Sequence, residues 1–103
     1  MTIPFNLTET FKHVDDYEER CVGRYKKGDL FVSTVRVYDT DIPYETAVAH
    51  PDYNGGEIIV VETYHDLPAA QKGYKKWILR MKQKPTKLFS VQNDETYIKK
   101  ERV

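Results

Sequence analysis

Lys72, Lys76 and Arg80 recur every fourth position. On a helix that interval places the side chains on one face, one turn apart. A row of cations of this kind can hold phosphate, a carboxylate or an acidic protein surface. Lys75, Lys82, Lys84 and Lys87 thicken it, and Tyr74 and Trp77 interleave with it. Cations beside aromatic rings can grip phosphates and stack bases. Tyr74 and Trp77 also fall on the apolar stripe of the same helix, so packing is their expected role. Solubility alone explains many surface lysines. Arg36 and Tyr38, which share one face of a strand, are the secondary candidates for contact with an anion.

Reaction chemistry is less well supplied. The candidate nucleophiles are Cys21 and Ser33, and the candidate bases are His13, His50 and His65. No spacing draws them together. Cys21 falls in a strand, where a thiol packs as a small apolar group. His65 and Asp66 occupy a strand-to-helix junction, but Asp66 is placed to cap the helix and His65 to line the turn. The acidic run Asp15, Asp16, Glu18 and Glu19 would need two carboxylates on one rigid face to hold a metal or move a proton. A solvated acidic surface is the simpler reading. There is no Cys/His set with zinc spacing, no P-loop and no GxGxxG. A non-enzymatic protein with no metal and no cofactor is expected.

The elements that must carry the basic row belong to one small domain, since 103 residues can build one core. The hydrophobic fraction of 40% with 13% aromatics suits folding rather than disorder. A single cysteine allows no intrachain disulfide, which fits a reducing compartment. The Met1–Asn6 start lacks the basic and apolar regions of a signal peptide. No apolar run approaches the roughly 20 residues of a spanning helix. A soluble, intracellular protein without membrane contact is expected. Net charge is zero but unevenly placed. Residues 1–66 hold 6 Lys/Arg and 13 Asp/Glu (6 − 13 = −7), and residues 67–103 hold 10 and 3 (10 − 3 = +7). The two halves can pair with each other, within or between subunits, or the basic half can meet an anionic partner.

Along the chain, residues 7–19 suggest one or two short helical turns, with Thr8 or Thr10 as cap. Cys21–Tyr25 and Leu30–Tyr38 predict two strands joined at Gly28-Asp29. Tyr44–Ala49 predicts a third. Glu57–Tyr64 predicts a fourth, and the run Ile58–Val61, apolar on both faces, marks it as internal. A helix then starts at the Asp66 cap with Pro68 in its first turn and stops before Pro85. Leu67, Ala70, Tyr74, Trp77, Ile78 and Met81 form its core stripe. Gly73 in mid-helix suggests close approach to the sheet. Leu79 points away from the stripe, a hint of a contact surface. Lys87–Val91 and Thr96–Lys100 form either a last hairpin around Asn93-Asp94 or a loose tail. The fold class is α+β: a four-stranded antiparallel meander with one long C-terminal helix on one face and a short N-terminal helical turn.

Four blocks carry a resemblance: Glu19-Arg20-Cys21-Val22-Gly23, Val32-Ser33-Thr34-Val35, Glu45-Thr46-Ala47-Val48 and Ala70-Gln71-Lys72-Gly73-Tyr74. Together they resemble a family of small tailed-bacteriophage proteins. The resemblance implies a viral accessory protein in the cytoplasm of an infected bacterium, and it brings no activity with it. Such proteins often carry His where this chain has Tyr74, and a phenol with a pKa of about 10 supplies no acid–base or metal role at neutral pH. The resemblance therefore points to a binding protein that counteracts a host defence by capturing a nucleotide or covering a host protein. The alternatives are a nucleic-acid-binding module using the same helix, a small enzyme around His50, His65 and Asp66, and a virion component. Self-association is a further expectation, since a short sheet has edges to cover.

Overall fold

The computed structural model of the chain describes residues 20–37 and 41–101. The helical turns expected over residues 7–19 lie outside them, as do His13 and Tyr38. Four strands, β1 (Cys21–Lys27), β2 (Leu30–Arg36), β3 (Tyr44–Ala49) and β4 (Ile59–Tyr64), form an antiparallel meander in the order β1-β2-β3-β4. One helix, α1 (Leu67–Lys82), follows and packs on the sheet. The expected α+β architecture is present, and β5 (Lys87–Ser90) and β6 (Glu95–Ile98) add a separate antiparallel hairpin rather than a loose tail.

The core follows from the register. Val32, Val48 and Ile59 lie in one cross-strand row and are buried. Trp77 and Met81 of α1, Tyr53 of the 50–56 loop and Leu88 of β5 close over them. Ile59 and Tyr64 are five residues apart, so an unbroken strand would turn them to opposite faces. The register slips between Thr46 and Ala47, which leaves Val61 as an extra residue on β4. This bulge brings Ile59, Val61 and Tyr64 all to the helix side.

β4 departs from expectation in its place. It is an edge strand of the sheet, not an internal one. Ile59, Val60 and Val61 are buried with the hairpin beside them instead of a further strand, while Ile58 before the strand is 60% exposed. The Val91 N–H donates to the Val60 carbonyl at 2.9 Å, and Leu88 joins Val61 in the core. Two bonds from the 50–56 loop hold the hairpin there. The Tyr53 hydroxyl donates to the Pro85 carbonyl at 2.5 Å, and the Lys100 N–H donates to the Asp52 carbonyl at 2.7 Å.

The helix begins as its sequence requires, with Asp66 Oδ1 accepting from the Ala69 N–H at 2.9 Å. Ala70, Gly73, Trp77 and Met81 form its buried line. Leu67 does not belong to it, being 43% exposed in the first turn. Gly73 is the close approach: a Cβ there would collide with the Tyr64 hydroxyl and ring. Gly23 of β1 plays the same part for Tyr74, whose ring carbons would lie 2.6 Å from an added Cβ.

Candidate functional site

The basic row on α1 is divided by its surroundings. Lys76 is held by Glu62 of β4, its Nζ 2.5 Å from Oε1. The same oxygen accepts the Trp77 indole N–H at 2.8 Å and the Tyr64 hydroxyl at 3.2 Å. Burial pushes the Glu62 carboxyl up. The bonds from Lys76 and Trp77, the Lys76 charge and the Tyr64 bond outweigh it, so the group sits below its ordinary value of 4.5. Tyr64 spends its proton on Glu62, so Thr46 donates to Tyr64 at 3.0 Å and Thr34 donates to Thr46 at 2.5 Å. Burial, reinforced by the Glu62 charge, pushes the Tyr64 phenol up to about 12 although the Thr46 bond opposes this. A polar chain thus runs from the buried sheet centre to the surface and ends on Lys76.

Arg80 lies one turn further along. Its guanidinium carbon stands 4.7 Å from the centroid of the Trp77 ring, and Lys76 stands 5.9 Å from the same centroid. Arg80 also faces an open cleft of about 410 Å³ between α1 and the hairpin. Lys87, Phe89 and Thr96 form the hairpin wall, and the core residues Val61, Trp77 and Leu88 form the back. Lys87 and Phe89 alternate with the buried Leu88 and Ser90, and Thr96 pairs with Phe89 across the hairpin. The lining holds two cations and no carboxylate among the described residues. Among the described residues, neither Arg80 nor Lys87 has an ion-pair partner.

The other candidates lie elsewhere. Lys72 is exposed on α1, two turns before Arg80. Arg36 is exposed at the end of β2 and lines a second recess of about 350 Å³ with Tyr44, Leu67 and Gln71. Leu67 and Arg80 are about 20 Å apart along the helix at 1.5 Å per residue. Arg36 and Arg80 therefore cannot grip the same small molecule. On the opposite flank Lys82 stands 5.2 Å from the Tyr25 ring. The two described imidazoles are also apart. Tyr44 pairs with Tyr64, so His65 lies at one end of β3, while His50 follows Ala49 at the other, roughly 20 Å away. His50 Nδ1 accepts the Asp52 N–H at 3.0 Å, and Asp66 is occupied as the helix cap. No group of three or more His, Cys, Asp or Glu gathers to hold a metal among the described residues.

Phe89 and Thr96 are the site residues that the sequence reading lacks. The signal for them is the short alternation Lys87-Leu88-Phe89-Ser90, which marks a half-buried strand with Lys87 and Phe89 on its outer face. No protein-family model matches the chain, and no match is found among curated proteins or among solved structures.

Proposed function

We propose that the protein is a non-enzymatic binding protein that takes an anionic ligand on the basic side of α1, with Arg80 and Lys87 as the principal contacts. One observation carries this reading: Arg80 and Lys87, without an ion-pair partner among the described residues, face a common cleft whose described lining contains no carboxylate. Lys76 is neutralised by Glu62 and adds little, whereas Lys72 extends the field along the helix. From the four-block resemblance we add that the protein serves a phage in the cytoplasm of its host, by withdrawing a signal or covering a host component.

A pyrophosphate titration followed by amide NMR tests the binding. The expected result is saturable shifts centred on residues 80 and 87, weakened by salt and lost in an Arg80→Gln/Lys87→Gln variant. Small, unsaturable shifts spread over all lysines would reject it. A second reading has its own observation. Leu79 is 62% exposed, with Lys75, Lys76 and Lys82 three or four residues away on the helix. Such a patch fits an acidic protein surface with an apolar centre. Loss of binding to a host protein in Leu79→Ala but not in Arg80→Gln would favour it.

A further inference from the structure

The cleft offers more than charge. Phe89 is 48% exposed although it is a large apolar ring, and it stands on the same hairpin face as Lys87. A ring held by strand pairing, next to a cation, with a second cation across a gap, matches the layout of a nucleotide: a flat apolar base and a phosphate joined by a short polar sugar. The cleft volume of about 410 Å³ lies within the range of small-molecule sites. Thr96, directly opposite Phe89 in the register, adds a hydroxyl that both donates and accepts beside the ring. Trp77 at the back is already covered by Arg80 and its N–H is committed to Glu62, so it is not the stacking surface.

We infer that the cleft between α1 and the β5–β6 hairpin is a nucleotide site, in which the base stacks on Phe89 and the phosphate bridges Arg80 and Lys87. This deepens the anion-binding reading and rests on it. The same chemistry is offered by a free nucleotide and by one unit of a single strand. Lys72 lies about 12 Å from Arg80 along α1 at 1.5 Å per residue, so a strand would find a further cation there beyond the paired Lys76.

The chain contains one tryptophan, Trp77, which lines the cleft, so its emission reports occupancy. Adenosine 5′-monophosphate, ribose 5-phosphate and inorganic phosphate are titrated against the whole chain. Adenosine monophosphate is expected to bind about tenfold more tightly than ribose 5-phosphate, the increment of one stacked base. Phe89→Ala removes that increment and leaves ribose 5-phosphate unchanged, and Phe89→Leu, which keeps apolar bulk without a flat ring, behaves like Phe89→Ala. Arg80→Gln weakens both ligands alike. Circular dichroism of each variant checks that the fold is kept. Equal affinity for the two ligands, or an unchanged adenosine monophosphate affinity in Phe89→Ala, overturns the nucleotide site. If ribose 5-phosphate still binds through Arg80 in that case, the anion-binding reading stands. If none of the three binds, both fall.

A parallel titration with thymidine monophosphate and an eight-residue oligothymidylate separates the two sources. Tighter, more salt-sensitive binding of the oligomer that is lost in Lys72→Gln identifies a single strand. Equal affinity identifies the free nucleotide. Either result upholds the site.

Discussion

At the scale of single residues, Glu62 decides what the basic row can do. Its one oxygen gathers Lys76, Trp77 and Tyr64, so a side chain that reads as a free cation is part of a fixed cluster. The partner was not legible in the sequence. Glu62 and Lys76 are 14 residues apart on different elements, and no helical or strand period connects them. Arg80 keeps the exposed place on the helix that its spacing predicts, because no carboxylate among the described residues pairs with it. The cluster has a pH signature. The folded-state value of Glu62 is lowered, so its contribution to stability is complete above the ordinary 4.5 and fades as pH falls through the lower folded value. Urea unfolding of the wild type and Glu62→Gln between pH 7 and pH 3 should show the wild type ahead at neutral pH and the difference closing in acid. A difference that stays constant across that range would mean that the carboxylate charge is not its source.

At the scale of elements, strands and helix were readable where one local rule dominated. β3 begins and ends where its alternation does, and α1 starts at its Asp66 cap. The place of β4 was not readable, because a run apolar on both faces states only that both sides are covered. Whether a strand or a hairpin covers it depends on Leu88 and Val91, far along the chain. The bulge at Val61 was equally hidden, since it leaves no mark in composition. Gly73 was readable in part, as a glycine where helix propensity disfavours one. Its reason is the Tyr64 hydroxyl, and that reverses the usual effect of substitution. Gly→Ala inside a helix ordinarily gains about 1 kcal/mol. Here Gly73→Ala should destabilise by about 1–3 kcal/mol through overpacking against Tyr64, measured as a lower urea midpoint with unchanged slope. A raised midpoint would show that Tyr64 can move aside at little cost.

At the scale of the whole molecule, negative charge is in excess over residues 1–66 and positive charge over residues 67–103, and both cations of the cleft, Arg80 on α1 and Lys87 on the hairpin, come from the positive part. No described helix is long and apolar enough to cross a membrane. Tyr53 supplies one polar link between the hairpin segment and the rest, through the Pro85 carbonyl. Tyr53→Phe keeps the buried ring and removes the bond to Pro85, at a cost of about 1 kcal/mol. Hydrogen exchange should quicken over residues 86–100 ahead of β2 and β3, since a local tether opens locally. Uniform quickening over the chain would instead make the hairpin one cooperative unit with the sheet.

The seal that Val91 makes on Val60 also sets an order in time. A ribosome delivers the meander and α1 before residues 87–100, so the growing polypeptide carries an uncovered strand border until that last segment clears the exit tunnel. Over that interval the nascent chain is most open to mispairing with its neighbours on a polysome.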